Sequence, residues 1–158
     1  MMSILGSIVQ MNHALKVDSP EPANPGMLNA ALKKAVRMAP HDVLVVLVSD
    51  FNGIDVETEK LATRLAAHND MLAVLVHDPV RMRPPEGTIA VSDGSLQMAI
   101  DFNRKQVREK VLRDYEDEEN RIKHFLRRLS APLLTVSNEG DVVDQIRRLL
   151  GVQRGVPK

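Results

Sequence analysis

Residues 43–51 read VLVVLVSDF and residues 71–79 read MLAVLVHDP, two aliphatic runs that each end in polar residues. A run of apolar residues without alternation is typical of a strand that helices cover on both faces, as in a parallel sheet. Asp55 can cap a helix between the two runs, and strand, helix and strand at this spacing form a right-handed βαβ unit. These segments predict an α/β fold with a mostly parallel sheet flanked by helices.

The N-terminal part of the chain predicts two helices. Apolar side chains within residues 4–15 recur at helical spacing. Residues 18–26 contain three prolines and predict a loop. Asn24 then suits the N-cap of a helix that ends before Pro40, and Asn69 suits a left-handed stop for the helix of the βαβ unit.

The C-terminal part adds a hairpin, a long helix, a strand and a final helix. The Asp-Gly pair at 93–94 lies between two short apolar runs and predicts an inserted β-hairpin. A helical pattern follows over about residues 103–129. Its charged stretch at 115–121 is predicted to be a solvated helix face, with contact to a partner as the alternative. Residues 133–136 predict a third strand, and Asn138 is expected to cap the last helix.

The composition limits the classes of function. The 158 residues include 21 Lys and Arg against 21 Asp and Glu, so the chain lacks the positive charge that draws proteins to nucleic acid or anionic membranes. It contains no cysteine, which excludes disulfides and thiolate metal sites and agrees with a cytoplasmic location. No apolar stretch approaches the roughly 20 residues of a membrane-spanning helix. A soluble cytoplasmic protein without affinity for nucleic acid is therefore expected.

Polar side chains at the carboxyl ends of the three predicted strands form the candidate site. Ligands of parallel α/β sheets bind in the crevice beyond these ends. Asp50 follows a hydroxyl and suits a hard cation such as Mg²⁺, although fixing the turn is the commoner role for such a residue. The candidates are Ser49, Asp50, Asn52, His77, Asp78, Ser137 and Asn138.

No catalytic residue and no cofactor follow from these patterns. His77 and Asp78 are adjacent and would point to opposite faces of a strand, so Asp78 is interpreted as a turn former before Pro79. The other histidines lack the spacing of metal ligands. No dinucleotide-binding, P-loop or serine-hydrolase motif occurs.

The order of VLVVLVSDF, MLAVLVHDP, the hairpin, the long helix and LLTVSNEGDVVDQIRRLL at 133–150 resembles the C-terminal part of the bacterial domain-of-unknown-function 58 proteins. These proteins are von Willebrand factor A-like and are often encoded beside MoxR-type AAA+ ATPases. The resemblance covers roughly residues 10–151. It implies a Rossmann-like sheet in which the strand at Val43 would be the fourth, with Asp50 at the last acidic position of a metal-ion-dependent adhesion site.

That metal site would be degenerate in this chain. Its D-x-S-x-S motif is absent, and Asn24-Pro25-Gly26 stands where a Thr is usual. A lone Asp50 supplies one of the several oxygens that Mg²⁺ requires, so at most weak binding of Mg²⁺ is expected.

The resemblance also implies that the first strands of the fold are absent. Residues 1–151 would then form a single truncated domain, followed by a flexible tail at 152–158. The strand from Val43 to Val48 would lie at an open sheet edge, and such edges pair with another chain or aggregate. Self-association is therefore expected, either through this edge or through the N-terminal helix.

Two functions follow, from different classes. The leading prediction is a non-enzymatic interaction scaffold that partners a MoxR-type AAA+ ATPase in chaperone-like complex maturation. The alternative is a Mg²⁺-dependent hydrolase or phosphoryl-transfer enzyme built on Asp50, Asp78 and Asp93.

Overall fold

A computed structural model describes residues 26–92 and 97–151, together with Gly6, Val9, Gln10, His13 and Asn24. Its elements follow the predicted order closely. They are α1 (Met27–Met38), β1 (Leu44–Ser49), α2 (Val56–Ala66), β2 (Asp70–His77), a short 3₁₀ helix (Pro79–Arg81), β3 (Thr88–Ser92), β4 (Gln97–Asp101), α3 (Lys105–Arg128), β5 (Leu133–Ser137) and α4 (Val142–Leu149).

Strands β1, β2 and β5 form a parallel sheet in the order β1-β2-β5. β1 pairs with β2 from Leu44 opposite Asp70 to Ser49 opposite Leu75, and β2 pairs with β5 along its other side. Among the described residues no strand pairs with the outer side of β1. The predicted α/β class is confirmed, and the parallel sheet flanked by helices fits a Rossmann-like fold.

The hydrophobic core lies between one face of this sheet and the helices α1, α2 and α3. Burial of a large aliphatic side chain contributes about 1.5–3 kcal/mol, so this face supplies most of the driving force that holds the layers together. The principal core side chains are Leu32, Ala62, Leu65, Met71, Ala73, Leu75, Ile122, Phe125 and Leu126.

The opposite face of β1 is exposed. Leu44, Val46 and Val48 keep 62%, 48% and 66% of their surface. Val74, which lies beside Val48 in the register, keeps only 8%. The prediction that both faces of the first strand are buried is therefore wrong for β1, because no described element covers this face of it.

The hairpin is confirmed as a separate two-stranded antiparallel sheet. β3 and β4 pair from Thr88 opposite Asp101 to Ser92 opposite Gln97. The predicted Asp-Gly turn at 93–94 lies outside the described residues, as does Asp93 as a site residue. Of the predicted N-terminal helix, Gly6, Val9, Gln10 and His13 are helical, and its other residues are likewise outside the described part.

Two predicted helix caps are wrong. Helix α1 begins at Met27 behind Gly26, and the Oδ1 of Asn24 accepts the Gly26 N–H at 3.0 Å in the turn before it. The cap of α4 is Asp141, whose carboxylate accepts a backbone N–H three residues ahead, and Asn138 lies outside the helix. Several polar residues precede α4 and could cap it, and Asp141 is the one at the cap position. Before α1, Asn24 lies two positions ahead of the cap position, which Gly26 occupies.

Asn69 is not a left-handed stop. It has no positive φ, and its amide donates to the carbonyls of Ala39 and Leu65 at 3.1 and 3.0 Å. Its Oδ1 accepts the N–H of Val43 at 3.1 Å. Asn69 therefore joins the ends of α1 and α2 to the start of β1.

No helix in the described ranges combines the length and the apolarity that crossing a membrane requires.

Candidate functional site

The chain leaves β1 through a tight turn that holds Asp50 at the surface. The Ser49 hydroxyl oxygen accepts the Phe51 N–H at 2.9 Å, and the Asp50 Oδ1 accepts the Asn52 N–H at 3.1 Å. Phe51 has a φ of 57° and keeps only 2% of its surface. Asp50 thus has the turn-fixing role that the sequence allowed, and its side chain stays exposed.

A cavity of about 230 Å³ lies beyond the carboxyl ends of β1 and β2. It brings together three of the predicted site residues, Asp50, His77 and Asp78, because neighbouring parallel strands end at the same edge of a sheet. Its lining residues are Asp50, Leu75, Val76, His77, Asp78, Tyr115, Glu118, Glu119 and Ile122.

His77 is held against the wall of this cavity that α3 provides. Its ring lies 6.3 Å from the ring of Tyr115, at an angle of 41°. The His77 Nδ1 is buried and has no hydrogen-bond partner among the described residues. Asp78 turns away into its own loop, where its Oδ1 accepts the Val80 N–H at 3.0 Å. His77 and Asp78 therefore border the same cavity while making different local contacts.

The charged stretch of α3 supplies the acidic wall. Glu118 and Glu119 are half-buried, and Glu119 pairs with Lys123 at 2.9 Å. The prediction of a solvated face is wrong for Tyr115, which keeps 7% of its surface. Tyr115 and Ile122 are both core residues seven positions apart, a spacing that places the two glutamates between them on the same helix face. That spacing was the signal in the sequence that Glu118 and Glu119 lie beside the core.

These carboxylates are not clustered as metal ligands among the described residues. In the part of the chain that the structure describes, no three His, Asp or Glu side chains lie close enough to hold a metal ion. Asp50 and Asp78 each accept a backbone N–H in their own turns. The weak Mg²⁺ binding expected at Asp50 stays a prediction.

Ser137 and Asn138 do not join the cavity. The Ser137 N–H donates to the Oε1 of Gln145 at 2.9 Å, and the Gln145 amide donates to the Ser137 and Glu139 carbonyls at 3.1 and 3.0 Å. Ser137 therefore ties α4 to the end of β5. Asn138 lies in a separate surface hollow, beside the ion pair of Arg83 with Glu139.

A larger groove of about 600 Å³ runs between α1 and β1. Three candidate residues, Ser49, Asp50 and Asn52, lie at its polar end together with Asn24. The sequence did not predict this groove, which lies on the side of β1 where no described strand pairs with it. Its walls are Met27, Leu28, Ala31, Leu32 and Ala35 from α1 and Val45, Val46, Leu47 and Val48 from β1.

A hydrogen-bonded network fixes the position of α1 against α2. The predicted cap Asp55 accepts the Thr58 N–H at 2.8 Å. In turn, the Thr58 hydroxyl oxygen accepts the Asp55 N–H at 3.1 Å. Asn29, which the sequence did not single out, accepts from the Thr58 hydroxyl at 2.7 Å and donates to Asp55 at 3.0 Å. Its position beside Leu28 and Leu32 on the apolar stripe of α1 was the only sign of burial.

The same network lowers the pKa of Asp55. The backbone N–H of Thr58, then the amide of Asn29 and then the hydroxyl of Thr58 stabilise the charged carboxylate. Together they lower the pKa of Asp55 from 3.8 to about 2. Asp55 is therefore a structural carboxylate that anchors one wall of the groove, and it is charged at neutral pH.

Comparison with known proteins places the chain in a family. No curated protein and no solved structure matches it. The family model described as "Protein of unknown function DUF58" matches residues 5–121, a range that includes Asp50, His77 and Asp78 and stops short of Ser137. Since this match spans most of its length, the chain belongs to the DUF58 family of proteins of unknown function.

Proposed function

We propose that this chain is a non-enzymatic interaction module whose docking surface is the open edge of β1. The observation that carries the proposal is the exposure of Leu44, Val46 and Val48 on an edge strand. No described strand pairs with the outer side of this strand. An edge of this kind presents unpaired backbone groups beside apolar side chains, and natural proteins rarely leave it without a partner.

The backbone groups of β1 that have no strand partner among the described residues belong to the same three residues. The Val43 N–H donates to Asn69 and its carbonyl accepts from Asp70 at 3.1 Å, so both groups of Val43 point toward β2. These groups alternate sides along a strand. Those of Leu44, Val46 and Val48 therefore point away from β2, where a further strand would bind them.

The groove beside β1 supports the same mode of binding. A strand added to the edge would lie next to α1, and its inward side chains would contact Met27, Ala31 and Ala35. A helix next to an open edge strand is a familiar site of β-augmentation, in which main-chain bonds give affinity and side-chain pockets give specificity.

The proposed partner rests on the resemblance noted from the sequence. DUF58 proteins resemble von Willebrand factor A-like domains and are often encoded beside MoxR-type AAA+ ATPases, so a MoxR-type ATPase and a role in chaperone-like complex maturation are proposed. Self-association through the β1 edge or the N-terminal helix belongs to the same proposal. The balanced charge and the missing cysteines support a cytoplasmic location without nucleic-acid binding.

Binding of the purified MoxR-type ATPase from the same source tests this proposal by calorimetry. Val46→Lys places a charge on the edge and is expected to weaken binding by about tenfold or more. Val143→Lys is the matched control, since Val143 is 55% exposed on α4, away from the edge. Equal binding by Val46→Lys and the parent would overturn the β1 edge as the docking surface, and no binding by the parent would overturn the ATPase assignment.

A second candidate rests on the cavity that Asp50 and Asp78 share. It is the Mg²⁺-dependent hydrolase or phosphoryl-transfer enzyme. Titration with Mg²⁺ and Mn²⁺ separates the two functions. Saturable binding that Asp50→Asn abolishes would favour the enzyme, and the interaction module predicts no such binding.

A further inference from the structure

We infer that the β1 edge pairs with the β1 edge of a second copy of this chain, antiparallel and centred on Val46. The inference rests on the proposed docking role of this edge and specifies the self-association proposed there, so a second copy and the ATPase would compete for the same edge. It is carried by the register of β1, by the direction of its backbone groups and by the residues that end the strand.

The side chains of β1 are self-complementary in this register. Residues directly opposite each other in an antiparallel pair have side chains on the same face of the sheet. Centring the pair on Val46 sets Leu44 opposite Val48 of the second copy and Val46 opposite its own equivalent. All three exposed residues then meet exposed apolar residues. A shift of one residue would turn them to the other face.

The hydrogen-bonding groups agree with the same register. The N–H and C=O groups that point away from β2 belong to Leu44, Val46 and Val48, and opposite residues whose groups face each other exchange two bonds. Centring on Val46 gives three such pairs within the two strands. A shift of two residues leaves two pairs, because one of the three residues then faces the turn of the other copy.

The ends of β1 restrict sliding. Asp42 and Phe51 both have a φ of 57°, so the extended backbone is confined to the residues between them. From Val43 to Ser49 the strand contains no charge and no proline, the two features that most often protect edge strands from pairing. Beyond its ends, Asp50 would lie opposite Asp42 of the second copy. Both side chains are exposed, so solvent and salt weaken this repulsion.

The pairing would join the two sheets in the order β5-β2-β1-β1-β2-β5. A two-fold axis perpendicular to the sheet keeps both α1 helices on one face, on either side of the new junction. The groove of each copy would then border the β1 strand of the other. Met27, which lines the groove and is 59% exposed on α1, would lie along that junction.

Cysteine cross-linking tests the register, since the chain has no cysteine of its own. Val46→Cys is expected to form a disulfide-linked dimer under mild oxidation, because hydrogen-bonded opposite residues lie about 5.5 Å apart between Cα atoms, within disulfide range. Leu44→Cys and Val48→Cys are matched controls on the same face. Each would lie about 13 Å from its own equivalent, out of reach.

The expected result is that Val46→Cys cross-links at least about tenfold faster than either control, as the raised effective concentration of a paired position requires. An equimolar mixture of Leu44→Cys and Val48→Cys should give the mixed dimer. Asp50→Asn, added to Val46→Cys, should speed the reaction by removing the facing charges. Equal rates for the three single variants, or a Leu44→Cys or Val48→Cys homodimer that forms faster than the Val46→Cys dimer, would overturn the inference.

Sedimentation of the parent chain separates this inference from the proposed function. A monomer at about 100 μM, with Val46→Cys no faster than its controls, overturns self-pairing, since a pair with a micromolar Kd would be dimeric there. ATPase binding that Val46→Lys weakens would still support the docking edge in that case. Unchanged circular dichroism of the variants shows that each one is folded.

Discussion

Strands β1 and β2 have almost the same composition and opposite surroundings. In β2 the side chains of Met71, Ala73, Val74 and Leu75 are buried, whereas none of the six residues of β1 is fully buried. β2 has a strand on each side, and β1 has a described strand on one side only. An aliphatic run therefore indicates a strand, while its place in the sheet depends on which neighbours the chain provides.

The largest expected effect comes from truncating a buried side chain of β2. Leu75 keeps 4% of its surface and Leu44 keeps 62%, so the same substitution should have unequal costs. Leu75→Ala is expected to lower the free energy of unfolding by about 2–5 kcal/mol, and Leu44→Ala by less than about 0.5 kcal/mol. Urea unfolding at low protein concentration measures both. Equal losses would mean that Leu44 is covered in solution.

Proline substitution sharpens the comparison within β1 itself. The Val45 N–H points toward β2 by the alternation that Val43 sets, and the Val46 N–H points outward. Val45→Pro should cost about 1–3 kcal/mol through an unpaired carbonyl on β2. Val46→Pro should cost less, because edge strands accept proline on their open side. Thermal unfolding at low protein concentration, where the chain is monomeric, compares the two, and a larger loss for Val46→Pro would contradict the assigned directions.

The network behind β1 provides a third test. Thr58 keeps 1% of its surface, and its hydroxyl donates to the Asn29 Oδ1 and accepts the Asp55 N–H. Thr58→Val retains the shape of the side chain and is expected to cost about 1–2 kcal/mol in urea unfolding. Thr63→Val is the control, since Thr63 is exposed and bonds only the carbonyl of its own helix turn. A smaller loss for Thr58→Val than for its control would show that the network does not hold α1 in place.

The smallest expected effect is a dependence of the protein's stability on pH in the acidic range. Because the folded pKa of Asp55 is lowered from 3.8 to about 2, its contribution to stability is present above pH 3.8 and is lost as the pH falls toward 2. Asp55→Asn should therefore differ from the parent at neutral pH, and this difference should shrink through that window. Chemical unfolding at several pH values measures it. A constant difference between the two proteins down to pH 2 would contradict the role of the carboxylate charge.

The elements that depend on local pattern were predictable from the sequence. The βαβ unit, the hairpin, the long helix and the cap Asp55 all follow from periodicity and turn residues within a few positions of one another. Of the site, the sequence predicted that Asp50, His77 and Asp78 lie at strand ends, and the order of the sheet then brings them to one cavity.

What the sequence could not provide depends on contacts between distant segments. Asn29 forms hydrogen bonds with Asp55 and Thr58, which lie 26 and 29 positions further along the chain. Asn69 joins the ends of two helices to a strand. No local pattern encodes such partners. The exposed face of β1 was missed for the same reason. Whether a strand is buried depends on which elements pack against it, and an apolar sequence only makes burial possible.

The left-handed turn at Phe51 has a consequence for the timescale on which the candidate site can move. Its buried ring anchors the backbone between Asp50 and Asn52 to the hydrophobic core. The turn can open only if that ring leaves its place, so the Phe51 amide should exchange its hydrogen slowly, with an opening free energy close to that of the core strands. The rim that the groove and the cavity share is thus a rigid part of the molecule, and any partner would meet Asp50 already in position.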